Sequence, residues 1–434
     1  VMNIVKVVNF PFPSSPDHTQ LMAAEKRLRI LGALETKKSN LKDEFAAKAT
    51  PLGKSIAAFP VAPRFGKMLA ISQQENLLKF TICMVSALSV QEVLVEGFGA
   101  EGSHENKKKW LQTRRHWAGT GNSLLLGDPM VLIRAVGAAA FADSQRKLPK
   151  FCEENGLRPK AVAEIKKLRN QLTNEISINV PGLELSIDPK MAPPTDKEAK
   201  MLRQILLAGM ADQIAKKMSL DEVSDEDRSK FKFAYNTLEM EEPVFMHSSC
   251  VLRKSLPEWV VYQEIYETNK VYMRGVTAIE PEWLPKFAPA LCNLGEPLVE
   301  PPPRFDEETG KVMCWVSGTF GRAAWELPRL ELEYPTSIDG VRWFARFLLE
   351  GTVCEKLKRF SDSLLSSAST VNKSWAKLIP RTEAITKALL AKGIMDKDKL
   401  LEVWKEDRSF LLKEYQMWLP ESAHNTACTI WPPV

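Results

Sequence analysis

The chain has 434 residues, 44% of them hydrophobic, enough for a sizeable core and, by length, about two to four domains. Its 59 Lys and Arg against 54 Asp and Glu leave a formal charge of +5, a mild basicity that permits nucleic-acid binding without demanding it. No run approaches the roughly 18 apolar residues of a membrane-spanning helix, so no membrane partner is expected. The cysteines, Cys83, Cys152, Cys250, Cys292, Cys314, Cys354 and Cys428, are scattered without a CxxC pair, which excludes a disulfide scaffold and fits reduced thiols of a cytosolic or nuclear compartment.

Val1 to Phe12 is short and apolar but is interrupted by Pro11 and lacks a basic n-region, so a signal peptide is not expected. A chain starting at Val1 has the look of an excised piece. Asp17 followed by Gln20 resembles a capping box, and Leu21, Ala24, Leu28 and Leu31 then repeat at helical spacing up to a stop at Gly32. Thr50-Pro51 is a second helix start, with Thr as N-cap and Pro at the first helical position; a third begins near Pro63. Three short helices with an extended segment between them suit a winged-helix domain over residues 1–70.

Residues 71–205 carry mainly helical pattern. Leu77 to Leu94 reads as a core helix, residues 97–109 as an exposed loop, 130–176 as amphipathic helices, and 186–196, with Pro189, Pro193 and Pro194, as a linker. One further helix is expected from Asp196 to Met218, with Leu202, Ile205, Leu206, Gly209, Met210 and Ile214 on one face. From about 230 the pattern turns strand-like, through Val260, Tyr262, Val271, Tyr272, Val276 and Thr277. Asp306 to Gly310 reads as a turn before a strand over Lys311 to Ser317, and helix returns from about 336 to a tail holding Trp404, Trp418 and Trp431. The expected class is therefore multidomain α+β: winged helix 1–70, helical bundle 71–205, small β-barrel of OB type with its preceding helix 206–335, and a helical extension 336–434.

Catalytic chemistry is hard to find. Gly53-Lys54-Ser55 has the GKS of a phosphate-binding loop, but the upstream glycine of GxxxxGK(S/T) is replaced by Lys48, and Pro51 marks a helix start. The acidic run Asp221-Glu222 to Asp225-Glu226-Asp227 reads as a solvated loop. The histidines His18, His104, His116, His247 and His424 show no metal-ligand spacing. His247 beside Ser248 and Ser249 suggests a nucleophile only weakly, since no orienting acid can be assigned. No catalytic residue and no metal site are expected.

Binding features are more plentiful. Lys107, Lys108, Lys109, Arg114, Arg115 and His116 interleave with Trp110 and Trp117; the bases suit phosphates and the rings unpaired bases, or else the tryptophans are core. Lys270, Tyr272 and Arg274 share one face of a strand by its period of two, a platform for a single strand or an ordinary exposed face. Arg64 and Lys67 reach phosphates or solvate a helix.

Several of these residues also fall in longer motifs. Thr50-Pro51-Leu52-Gly53-Lys54, Phe59-Pro60-Val61-Ala62-Pro63, Leu207-Ala208-Gly209, Val244 to Ser249, Glu258-Trp259-Val260-Val261-Tyr262 and Thr277 to Leu284 occur in an order and spacing that covers roughly residues 8–290. In these the chain resembles the region that follows the motor of DEAH-box RNA helicases, with Ser248 where that family usually has Pro. The opening Asn9 to Pro13, the stretch Lys109 to Trp117 and the long tail after 300 look like the nucleolar branch that acts in small-ribosomal-subunit assembly.

The resemblance implies a winged helix, a helical ratchet and an OB-fold. It implies a parent enzyme that hydrolyses ATP with Mg²⁺ in two RecA-like domains, the region read here holding no cofactor and no catalytic residue. It implies single-stranded RNA as partner, pre-rRNA or a snoRNA to be released from it, together with a processome activator protein, the chain's own RecA-like domains, and residence in the nucleus and nucleolus. Ser248, Ser249 and the strand Lys270 to Arg274 match the OB contacts to RNA. The ratchet contacts match the helix Asp128 to Phe141, which holds Arg134, alternatively an ion-paired structural residue. Arg64, Lys67, Arg114 and Arg115 complete the candidates. The competing readings are a protein-docking platform in the same particle, through the tail after 336, and an unrelated winged-helix nucleic-acid binder.

Overall fold

The computed structural model describes residues 10–35, 48–95, 104–179, 185–221, 224–376 and 378–434. Its contacts divide the chain into two compact units, Val1–Cys292 with Gly321–Ala323, and Asn293–Phe320 with Ala324–Val434.

The first unit opens with helices α1 (His18–Ile30), α2 (Pro51–Ala57) and α3 (Pro63–Gln74), with an antiparallel bridge Leu34–Ala49 between α1 and α2. Asp17 is the N-cap of α1, but the expected capping box is not made; the Asp17 carboxylate takes the Thr19 hydroxyl instead. Thr50 caps α2 as its sequence dictates, its hydroxyl accepting the Gly53 N–H at 2.9 Å, with Pro51 supplying a helical φ where no donor is needed.

Next come α4 (Leu78–Leu88), α5 (His104–Ala118), α6 (Gly121–Leu126), α7 (Asp128–Ser144), α8 (Leu148–Asn155) and α9 (Pro159–Asn179). Two expectations fail here. The helix expected over Leu77 to Leu94 ends at Leu88, where the Ser89 hydroxyl donates to the Val85 carbonyl; Leu94 then bridges to Leu157 in extended chain. The loop expected over 97–109 is helix from His104 onward, residues 97–103 lying outside the described residues. Its polar start hides the reason: Trp110, Arg114 and Ala118 recur every four residues and are all buried, so the face that holds the helix comes after the basic run.

The helix α10 (Asp196–Gly209) begins in a complete capping box of Thr195 and Glu198. It stops short of the expected Met218. A Cβ on Gly209 would lie 2.7 Å from the Arg64 carbonyl and 2.6 Å from Met68, so glycine is what lets α10 touch α3. Ile214, expected on the helix face, instead starts strand β1 (Ile214–Lys217), an interior strand of a seven-stranded sheet ordered β5-β6-β3-β2-β1-β4-β7. The other strands are β2 (Ala234–Thr237), β3 (Val244–Met246), β4 (Trp259–Val261), β5 (Glu264–Glu267), β6 (Val271–Arg274) and β7 (Thr277–Ala278). All pair antiparallel except β3 with β6, where Phe245 lies opposite Tyr272 and Met246 opposite Met273 in parallel. Ala215, Tyr235, Val244, Met246, Val260 and Met273 form the barrel core. The acidic run is not all loop: Asp225–Phe231 is a short helix, α11, and Glu222 lies outside the described residues. A further turn of helix, α12 (Leu284–Phe287), follows the sheet.

In the second unit, strands β9 (Arg304–Asp306), β10 (Lys311–Val316) and β13 (Leu330–Glu333) form one small sheet; β11 (Gly318–Phe320) and β12 (Trp325–Glu326) form another with β8 (Cys292–Leu294). The expected turn is present, the Asp306 carboxylate accepting from the Thr309 amide and hydroxyl while Gly310 takes φ +66°. Helices α13 (Ile338–Leu349), α14 (Pro380–Lys392), α15 (Lys397–Glu406), α16 (Leu412–Gln416) and α17 (Glu421–Ile430) enclose a core holding Val312, Phe344, Leu348, Trp404, Tyr415 and Trp418. Trp404 and Trp431 both donate their indole N–H to the Phe410 carbonyl, at 3.0 and 2.9 Å. The strands from Arg304 to Glu333 thus share a unit with the helices after 336, and the contacts part at Cys292 rather than at residue 335.

Candidate nucleic-acid interface

The edge of the seven-stranded sheet formed by β3, β6 and β5 has two unlike faces. Met246, Met273 and Ile265 point into the barrel core. The alternate positions point away from it: Phe245 and His247 on and after β3, Tyr272 and Arg274 on β6, Glu264 and Tyr266 on β5. Period two brings Lys270, Tyr272 and Arg274 onto this outer face, as the spacing predicts.

The rings there form a continuous row. Phe245 lies 6.5 Å from Tyr272, His247 lies 5.2 Å from Tyr272 and 5.8 Å from Tyr266, and Tyr266 and Tyr272 are 5.8 Å apart. Phe231 of α11 extends the row, stacked 6.3 Å from Phe245. Two cations sit against the row, the Lys270 ammonium 4.3 Å from the Phe245 centroid and the Arg274 guanidinium 3.8 Å from that of Tyr266. Ser248 is exposed at the turn after β3. Ser249 folds back, its hydroxyl 2.7 Å from His247 Nδ1, and its amide donates to the same nitrogen at 3.3 Å. Two bonds to one ring nitrogen two residues away make a local turn, which accounts for the His–Ser pair without invoking a nucleophile.

Beside this face is a cleft of about 310 Å³, lined by Ala87 and Val90 to Val95 on one side and by His247, Ser249, Glu264 and Arg274 on the other, with Arg114, Asp128 and Arg158 also in its wall. Arg114 is buried. Its guanidinium lies 4.7 Å from the Trp110 ring, and its Nη2 meets an Asp128 carboxylate oxygen at 3.4 Å. The same carboxylate accepts the Val276 and Val251 amides at 3.3 and 3.4 Å, so Asp128 joins the start of α7 to the barrel. The cleft thus gathers Arg274, Ser249 and Arg114.

The other candidates lie elsewhere. Arg64 donates to the Gln213 side chain at 2.9 Å and toward the Gln263 carbonyl, tying α3 to the barrel, and burial holds its pKa below the ordinary guanidinium value. Lys67 is only 7% exposed, and burial lowers its pKa to about 8. Arg115 is exposed on the outward face of α5, with His116, while Arg134 opens on a separate groove beside Trp117. Among the described residues no carboxylate pairs with Arg134. Trp110 is core, and the side chains of Lys107 and Lys109 lie outside the described residues.

Sequence reasoning missed Phe245, His247 and Tyr266 as members of the aromatic row; the alternation of Phe245 with His247 was the available signal. It also missed Arg203, 1% exposed, which donates to the Ala278 carbonyl, Asn122 and Glu280 and lies over the Trp283 ring.

The GKS sequence does not fit a nucleotide. It lies inside α2, the Gly53 amide is taken by Thr50, and a Cβ there would fall 2.1 Å from the Ala33 carbonyl oxygen. Glycine serves a close backbone approach rather than a nest of free N–H groups.

Comparison with known proteins finds three family matches along the chain. Residues 62–132 match a ratchet-like helicase-associated domain, 202–291 an oligonucleotide/oligosaccharide-binding fold, and 356–434 the DEAH helicase DHX37 C-terminal domain. All of the chain aligns with the probable ATP-dependent RNA helicase kurz of Drosophila melanogaster at 50% identity, and with the probable ATP-dependent RNA helicase DHX37 of Homo sapiens at 43%. The chain belongs to the DEAH-box RNA helicase family. The putative ATP-dependent RNA helicase rha-2 of Caenorhabditis elegans, 40% identical, also aligns along all of it. The chain spans 37% of kurz and 38% of each of the other two, and in this helicase C-terminal region the aromatic row lies within the oligonucleotide-binding match.

Proposed function

We propose that this region grips single-stranded RNA beside the ATP-driven motor of a DEAH-box helicase. The observation that carries the reading is the outer face of β3, β6 and β5, where Lys270 and Arg274 sit against a row of aromatic rings. Rings of this kind stack on bases of any sequence, and flanking cations meet phosphates. Ser248 and Ser249 add hydroxyls at one end, and the adjoining cleft gives the strand an exit. ATP with Mg²⁺ acts in RecA-like domains outside this region, which supplies the stationary grip against which they move. In this reading the substrate is pre-rRNA carrying a snoRNA, the setting is the nucleolar small-subunit processome, and a processome protein activates the motor.

The test is fluorescence anisotropy of the 434-residue chain with a labelled ten-nucleotide oligo-U RNA. Binding falls steeply as salt rises, and Tyr272→Ala weakens it by about 1–3 kcal/mol per base lost from the stack. Lys270→Ala lowers the salt slope by about one. Salt-independent binding, or preference for duplex DNA over the RNA, refutes the reading.

A further inference from the structure

Two grooves run along α7, away from the outer face of β3, β6 and β5, and Pro189 lines both. The first, about 490 Å³, holds Trp117, Arg134 and the half-exposed Phe141. The second, about 510 Å³, lies between α7 and α9 and is walled by Val136, Ala140, Leu148, Val162 and Ile187. Both volumes suit a bound side chain or two rather than a chance surface dimple.

The second groove has a charged floor. Arg169 of α9 is 5% exposed and lines it, and its buried Nε has no hydrogen-bond partner. Among the described residues no carboxylate pairs with it. The one acid in the lining, Asp143, is already held by Lys166 at 2.6 Å. A guanidinium has five donors and no acceptor, and burying it unpaired is costly. Here it is buried yet opens on a cavity of ligand size, so its missing acceptor is one that arrives from outside.

The chemistry of the walls narrows the visitor. A nucleic-acid backbone needs cations free at the rim, and the rim cation Lys166 is neutralised. An aliphatic side chain has the Val136, Leu148, Val162 and Ile187 surface to cover, and a carboxylate next to it reaches the planar fork of Arg169. We propose that this groove docks a segment of a partner protein that carries an acidic residue beside an aliphatic one. The proposal is independent of the RNA reading, which uses another face.

The probe is a fluorescein-labelled octapeptide of alternating leucine and aspartate, with its leucine–asparagine isostere as control, titrated against the full chain. The acidic peptide binds, and the isostere binds at least about tenfold more weakly, as loss of a charge-assisted pair requires. Arg169→Met, which fills the same space without the charge, keeps the melting temperature and loses at least the same tenfold. Ala140→Trp blocks the groove from the other wall and gives an equal loss, which keeps the test decisive if the first variant fails to fold. Hydrogen exchange on peptide addition slows in 136–144 and 162–170. The proposal is overturned by no binding at millimolar peptide, by equal affinity for peptide and isostere, or by full binding to Ala140→Trp. Displacement of the peptide by oligo-U RNA with protection of the same segments also overturns it, in favour of RNA.

Discussion

Replacing Asp128 by Ala separates a structural from an RNA-binding role for Arg114. The carboxylate is the partner of a guanidinium that is nine-tenths buried, and it also accepts the Val276 and Val251 amides. Removing it strands that charge, at a cost of about 3–5 kcal/mol. The opposite change, Arg114→Met, is milder. The carboxylate keeps its two amide donors and methionine covers the Trp110 ring, so the loss is one bond to a charged group, about 1.5–3 kcal/mol. In the double variant no charge is stranded, and its cost falls short of the sum by at least about 1 kcal/mol. Urea unfolding followed by far-UV circular dichroism, fitted with a transition for each compact unit, measures all four proteins. Salt titration of RNA binding by Arg114→Met completes the experiment, and its slope matches the parent. Additive stabilities, or a slope lowered by about one, would show that Arg114 spends its charge on phosphate and would refute the assignment.

Lys67 predicts a pH dependence. Its folded pKa, lowered to about 8 from 10.5, means that the folded chain releases a proton the unfolded chain still holds between those values. The penalty is therefore complete below pH 8 and fades as pH rises toward 10.5, so this group's contribution to stability rises with pH across that window. Lys67→Met is expected to be more stable than the parent by about 3 kcal/mol at pH 7, with the difference shrinking by pH 10; a constant difference in urea midpoints would contradict the assignment. Gly53→Ala drives a methyl into the Ala33 carbonyl and costs about 1–3 kcal/mol, whereas exposed Lys54→Ala stays within about 0.5 kcal/mol. A phosphate-loop role would instead show as nucleotide binding lost with Lys54, measured by calorimetry.

What the sequence made legible was what short-range chemistry decides. Thr50-Pro51 opens a helix because a hydroxyl and a fixed φ act within three residues, and Asp306 to Gly310 turns for the same kind of reason. The common face of Lys270, Tyr272 and Arg274 follows from the period of a strand. The aromatic row did not, because β3 lies beside β6 in parallel across an intervening pair of strands, and only that order sets Phe245 against Tyr272. The end of α10 was lost for a related reason: its apolar period runs on through Ile214, but the chain from Ile214 pairs with β2 and β4, strands 20 or more residues further on. Arginines were the least legible of all. Arg64, Arg114 and Arg203 look like surface cations in a one-dimensional reading, yet each is held by a partner distant in sequence or by a buried acid.

Those same arginines bear on how the proposed grip would work. The start of α7 is set into the barrel: Gly127 leaves room for the Val276 carbonyl, which a Cβ would meet at 2.1 Å, and Asp128 takes two barrel amides. Thr277 donates to the Leu126 carbonyl, and Arg203 ties α10 and Asn122 of α6 to the following strand at Ala278. The helical and barrel walls of the cleft are thereby locked by buried bonds, each of which would have to break for the walls to part. Hydrogen bonds are stronger in a buried, low-dielectric setting than in water, so such ties resist parting. A cleft fixed in this way presents His247 and Arg274 already oriented, so on the proposed function little ordering cost would count against RNA binding. It also cannot supply a stroke of its own. On the function proposed above, such a surface would be the stationary contact, and the change of spacing that produces movement would come from parts that are not bonded to it in this manner.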